Sequence, residues 1–167
     1  ATSSTITTPE PTLLAIPAIG LTASFTPDHL GLNEDETVEV PRTYNEVGWY
    51  KYGPTPGDQG PAVVLGHVDS VDGPAILYEL SDLQPGDSIL VERSDGIVTR
   101  FVVETIDNKP QEDFPTEEVY ENLDYAGLKI ITCSGTYLED ELRYTHNLVV
   151  TARLVGLDFE NTLQKSD

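Results

Sequence analysis

Cysteine occurs once in this chain, at Cys133, so an internal disulfide is ruled out and no disulfide framework reveals the redox compartment. Basic residues are also scarce. Nine Lys and Arg stand against 29 Asp and Glu, a formal net charge of −20 over 167 residues. Nucleic-acid binding needs clustered cations to neutralise phosphates, so this balance argues against it. It argues equally against docking on anionic lipid headgroups. No apolar run approaches the roughly 18 residues that a membrane-spanning helix requires. Nor does a basic segment followed by an apolar one mark a secretory signal. The chain begins at Ala1, and any membrane anchor is expected outside this sequence. These absences leave an acidic globular domain, long enough to bury a core without staples.

Residues Ala1 to Thr12 are rich in Thr, Ser and Pro without hydrophobic periodicity, which reads as a flexible stalk over 1–12. From Leu13 onward, short apolar stretches are interrupted by Gly, Pro, Asp and Asn. Strands are expected at Leu13–Ile16, Leu21–Phe25, Val38–Val40, Val47–Tyr50, Ala62–Gly66, Ser88–Glu92, Ile97–Ile106, Leu128–Cys133 and Leu148–Val155. Such runs, separated by frequent turn signals, point to an all-β sandwich or barrel. Ser94-Asp95-Gly96 is a hairpin turn, because Gly tolerates the positive φ that such turns need. Helix is sparse, with one short helix expected over Pro74–Leu83 behind an Asp72 cap and another over Pro115–Asn122. One domain is expected over 13–155, with a tail over 156–167.

The chemistry concentrates at strand ends. Cys133 closes the run Leu128-Lys129-Ile130-Ile131-Thr132-Cys133, His67 closes Pro61-Ala62-Val63-Val64-Leu65-Gly66-His67, and Arg143 follows the cysteine by ten residues. A thiolate is the reactive form of cysteine, so a nucleophilic Cys133 needs a partner such as His67. A guanidinium can stabilise the oxyanion that develops on the attacked carbonyl. Each residue alone has an ordinary reading. A free Cys is commonly a small buried hydrophobe, His67 could bond Asp69 or Ser70, and Arg143 could pair with Glu139, Asp140 or Glu141. Thr132 and Ser134, which flank the thiol, are candidates for substrate contact through a hydroxyl or a backbone N–H.

Three blocks taken together resemble one family. They are NEVGWYKYGPTPGDQGPAVVLGHVDS (Asn45 to Ser70), KIITCSG (Lys129 to Gly135) and ELRYTHNLVVTARL (Glu141 to Leu154). They are similar to the sortase cysteine transpeptidases of Gram-positive bacteria, and most like the class F sortases of actinobacteria. The stretch before the cysteine, Lys129-Ile130-Ile131-Thr132-Cys133, keeps the final Thr-Cys of the family's frequent Thr-Leu-x-Thr-Cys but has Lys129 in place of its first Thr. The resemblance implies a single closed eight-stranded β-barrel with one or two short helices. It implies cleavage of an LPXTG-type sorting signal between Thr and Gly through a thioacyl-enzyme, then transfer to an amine. The implied acceptor is a peptidoglycan precursor or a pilin lysine, and the implied place is the extracellular face of the membrane or the cell wall. Carried over by position, Cys133 is the nucleophile, His67 the general acid/base and Arg143 the oxyanion or substrate stabiliser. A monomer is expected.

Other groups are assigned less. Trp49, in the aromatic stretch Arg42–Gly60, is read as packing or as a substrate wall. His29 and His146 are read as structural, and Arg153 as a rival guanidinium set deeper in its strand. The acids Glu112, Asp113, Glu117, Glu118 and Glu121 could hold calcium, but hard cations need several converging oxygens. No metal or cofactor is assigned. L,D-transpeptidases also use Cys and His, but in a Gly-Cys context that Thr132-Cys133-Ser134 lacks. A non-catalytic acidic β-barrel serving as an adhesion or pilus module is the alternative outside enzymology; it predicts an inert Cys133.

Overall fold

The structure, a computed structural model, describes residues 8–34, 37–111 and 124–159. Ten strands carry the fold: β1 (Pro11–Ile16), β2 (Leu21–Ser24), β3 (Gly48–Trp49), β4 (Gly60–Leu65), β5 (Asp69–Ser70), β6 (Gly73–Pro74), β7 (Ser88–Arg93), β8 (Val98–Pro110), β9 (Ala126–Leu138) and β10 (Arg143–Asp158). Eight of them form one sheet in the order β2-β1-β7-β8-β10-β9-β4-β3, and β5 pairs with β6 apart from it. The all-β expectation holds, but the closed barrel does not. β2 and β3 are edges of an open half-barrel, joined only by an isolated bridge between Phe25 and Val47. Its bonds are few, with Thr26 N–H donating to Val47 O and Val47 N–H to Ser24 O. β3 is two residues long, too short to build a continuous ladder along β2.

Other boundaries also move. β1 begins at Pro11, inside the expected stalk, and β10 runs to Asp158, past the expected end of the domain. Pro74–Leu83 is not a helix. Pro74 closes β6, and turns lead from there to a three-residue 3-10 segment at Leu80–Asp82. Leu77 and Leu80 are fully buried there, so packing rather than helix propensity holds the segment. Val38–Val40 contributes a single bridge, Val38 to Leu32. Pro115–Asn122 and the acids beside it lie outside the described residues. The hairpin at Ser94–Gly96 forms as expected, with Gly96 at φ +83° and the Arg93 N–H donating to Ile97 O.

Strand alternation sorts the apolar side chains onto two faces. The inner face holds the main core, with Leu128 and Ile130 of β9, Leu148 and Val150 of β10, Val64 of β4, and Phe101 of β8. Trp49 belongs here. It is almost fully buried and donates Nε1–H to Pro54 O at 3.1 Å, so it packs the core and is no substrate wall. On the outer face Leu30, Val63, Leu65, Ile131 and Val149 form a second, smaller cluster. Cys133 follows Ile131 by two residues and shares that outer face.

Candidate active site

β4 and β9 run parallel, with Gly60 opposite Ala126 and every rung in step to Leu65 opposite Ile131. Beyond Leu65 the ladder continues for one step. Gly66 N–H donates to Ile131 O at 3.3 Å, and the Thr132 hydroxyl donates to Gly66 O at 2.8 Å. The same offset in sequence separates His67 from Cys133, one position farther on. Gly66 is required for the approach: a Cβ there would lie 2.7 Å from Leu77 Cδ1. Thr132 thus acts through the backbone of its neighbour, on the face opposite the thiol.

His67 is held from three sides. Its ring stands 4.6 Å from that of Tyr44, its carbonyl accepts from Leu77 N–H, and its Nε2 lies 2.6 Å from Pro41 O. A carbonyl only accepts, so Nε2 carries the hydrogen and Nδ1 is the nitrogen left to exchange a proton. Among the described residues no hydrogen bond joins imidazole and thiol in this resting arrangement.

On the other flank β10 runs antiparallel to β9, and the residue opposite Cys133 is Asn147. Arg143 instead faces Leu138, five residues farther along β9, or about 17 Å of extended strand. Its guanidinium donates to Glu141 Oε1 at 3.0 and 3.2 Å and to Tyr144 O at 3.3 Å. The register therefore sets His67 and Cys133 just beyond the paired run of β4 and β9, and Arg143 opposite Leu138 toward the far end of the hairpin. Ser134 donates its hydroxyl to Asn108 Oδ1 at 2.7 Å. Alternation turns Ser134, like Thr132, away from the thiol's face.

Most of this separation reflects how near Arg143 is to the hairpin turn, and a bulge adds one residue to it. Gly135 and Thr136 together oppose Thr145, with Gly135 at φ +81° and Thr136 N–H donating to the Thr145 hydroxyl at 3.0 Å. Bulges recur beside active sites because they re-aim side chains. A Cβ at Gly135 would run into the Thr145 hydroxyl and lie 2.7 Å from His146 Nδ1. His146 is accordingly structural, as is His29, which packs edge-on against Trp49 and lies 3.3 Å from Glu10. Arg153 pairs with Glu104 and stacks over Tyr125, so it is no rival at the thiol.

Three polar residues near Cys133 escaped the sequence reading: Gln111, Asn147 and Tyr144. Gln111 Nε2 lies 3.8 Å from Cys133 Sγ, 2.9 Å from Asn147 Oδ1 and 3.2 Å from His146 O. Tyr144 donates its phenol to the Asp69 carboxylate, and its ring meets that of Tyr137 at 5.2 Å. Burial first, then the Asp69 bond and charge, push the Tyr144 phenol far above its usual range, so it remains a donor. Burial is also the main force on the Cys133 thiol, pushing it up. The Gln111 hydrogen bond opposes this, and the Asp69 charge adds to it. The resting thiol is thus a neutral, partly shielded group with a minor thiolate pool. Among the described residues no cluster of three or more His, Cys, Asp or Glu could hold a metal ion.

Comparison with known proteins bears on the family and the fold. The model of the sortase domain family matches residues 14–155. The fold is similar to a Clostridium perfringens sortase D5 transpeptidase at 22% identity and a TM-score of 0.62, covering 86% of this chain and 78% of that one. It is similar to Listeria monocytogenes sortase A at 14% identity and a TM-score of 0.66, covering 93% and 97%. It is also similar to sortase C-1 from Actinomyces oris at 20% identity and a TM-score of 0.66, covering 86% and 73%. A search of curated protein sequences finds no match.

Proposed function

Since the chain belongs to the sortase family and is a transpeptidase of that family, we propose that it cleaves LPXTG-type sorting signals between Thr and Gly and joins the Thr carbonyl to an amine. The observation that supports this reading is the parallel register of β4 and β9, in which His67 and Cys133 follow the paired run at the same offset. Cys133 is the nucleophile and His67 the general acid/base. The thiol proton passes to His67 Nδ1, and the thiolate then attacks the Thr carbonyl. An S–C bond forms as the carbonyl electron pair moves onto oxygen. The imidazolium returns its proton to the departing glycine nitrogen while the C–N bond breaks, which leaves a thioester. An incoming amine attacks the thioester, loses a proton to His67 and expels the thiolate. Water competes poorly when the thioester is shielded and the amine is well placed.

Arg143 enters the proposal as a stabiliser of the bound substrate from the far end of the hairpin. Thr132 and Ser134 contribute their backbone to the substrate groove. The acceptor is a peptidoglycan precursor or a pilin lysine, and the enzyme works as a monomer at the extracellular face of the membrane, anchoring surface proteins to the cell wall. The three sequence blocks favour the class F subtype. Family membership sets aside the non-catalytic module. The test is acceptor dependence with an LPXTG peptide. A joined product in the presence of an amine supports transpeptidation, whereas hydrolysis alone, unaffected by amine, marks a cysteine peptidase.

A further inference from the structure

We propose that the side-chain amide of Gln111, oriented by Asn147, is the donor that stabilises negative charge at Cys133, first on sulfur and then on the carbonyl oxygen of the tetrahedral intermediate. Gln111 follows the last residue of β8, where its own N–H donates to Thr145 O at 2.9 Å. That bond fixes its backbone beside the bulge, and the side chain then reaches across β10 toward β9. Its Nε2 has two hydrogens and three acceptors in reach: Asn147 Oδ1, His146 O and Cys133 Sγ. The neutral thiol is the weakest of the three, as the 3.8 Å separation shows. When the sulfur becomes anionic it becomes the strongest, and one N–H turns from His146 O toward it. Once the S–C bond forms, the charge moves to an oxygen bonded to the same carbon, within the amide's reach.

His146 O fixes this direction, because a backbone carbonyl only accepts and so faces the amide nitrogen of Gln111 rather than its oxygen. Asn147 sits directly opposite Cys133 on the same face of the sheet, and its Oδ1 accepts the second N–H of that nitrogen and holds it beside the thiol. Asn147 is therefore a positioning residue and Gln111 a catalytic one. The Gln111 hydrogen bond is also the one influence on the thiol that favours its anion against burial and the Asp69 charge. The other titratable groups at this place, among the described residues, are Asp69, the Tyr144 phenol that donates to it and feels the Cys133 charge, His146 beside Asn147, and His67 beyond the end of β4. Arg143, with its guanidinium bonded to Glu141, stands apart from this amide pair.

The oxyanion half of the inference rests on the transpeptidase reading; the thiolate half does not, and the test separates them. Alkylation of Cys133 by iodoacetamide, followed against pH, needs no sorting signal. Gln111→Leu is expected to move the alkylation midpoint upward by on the order of one pH unit, and Gln111→Glu farther, by adding a charge without changing shape. Asn147→Leu is expected to shift it in the same direction by less. With an LPXTG peptide, single-turnover acylation should fall roughly 100-fold in Gln111→Leu, as for loss of one oxyanion donor. Thermal unfolding of each variant separates these effects from loss of fold. An unchanged alkylation profile in both Gln111 variants overturns the proposal whatever the peptide does. A shifted profile with unchanged acylation overturns its oxyanion half. If wild-type protein alkylates normally but acylates with no peptide, the sorting-signal reading fails while the thiolate donor stands.

Discussion

On one flank of β9 the partner strand runs parallel and without a break from Gly60 to Leu65; on the other it runs antiparallel through a bulge at Gly135 and Thr136. The parallel flank is buried along its whole length, with β4 inaccessible from Gly60 to Leu65. A slip of one residue there would turn Val63 and Leu65 into the inner core and Val64 out of it, so the register is tightly specified. The antiparallel flank is half-exposed where it matters, from Ser134 to the turn before Arg143. Its register is set by local backbone geometry instead. The difference teaches that a rigid, core-determined pairing fixes the register that carries His67 and Cys133. The polar surroundings of the thiol are the part that a local feature can rearrange.

The largest expected effect breaks the parallel flank at its catalytic end. His67→Ala should lower the acylation rate by about 10²- to 10⁴-fold, the usual contribution of a positioned general acid/base, as read by single-turnover kinetics with the unfolding temperature unchanged. Next, Thr132→Val keeps the side-chain shape but leaves Gly66 O without its hydroxyl donor. A loss of about 1 kcal/mol in stability is expected from removing this partly buried hydrogen bond, measured by urea unfolding. A fall in acylation beyond that of the folded fraction would show that His67 has also shifted. On the antiparallel flank, Arg143→Ala should cost less than about tenfold in acylation, because its ion pair with Glu141 is a surface one. A loss as large as that of His67→Ala would mean that the hairpin repacks to bring the guanidinium to the thiol. The smallest effect concerns charge. Asp69 disfavours the thiolate, so Asp69→Asn should move the alkylation midpoint of Cys133 to lower pH, opposite in sign to the Gln111 variants.

Much of this was legible in the sequence, and what was not has a physical reason. The runs ending in His67 and Cys133 read as strand ends because both are apolar and bounded by Gly or small polar residues. That they act as a pair is what the family resemblance implies. The hairpin was less legible. Pairing Leu138 with Arg143 and stepping back to Cys133 arrives at Leu148, and the extra residue of the bulge makes it Asn147. Proximity in sequence made Arg143 look near, whereas in a hairpin nearness depends on distance from the turn. Gly135 was the visible sign of the bulge, but a single Gly does not say which strand gains the residue. Gln111 could not be found this way, since it reaches the thiol across an intervening strand. The closed barrel failed for a simpler reason: strand count does not say whether the edges are long enough to pair, and β3 is not.

The most direct measurement is the intact mass of the protein after incubation with an LPXTG peptide, with and without an added amine, beside Cys133→Ala. A thioester adduct that disappears in Cys133→Ala and is discharged by the amine into a joined product is the predicted result. An adduct that persists in Cys133→Ala, or a product that forms without Cys133, would contradict the account.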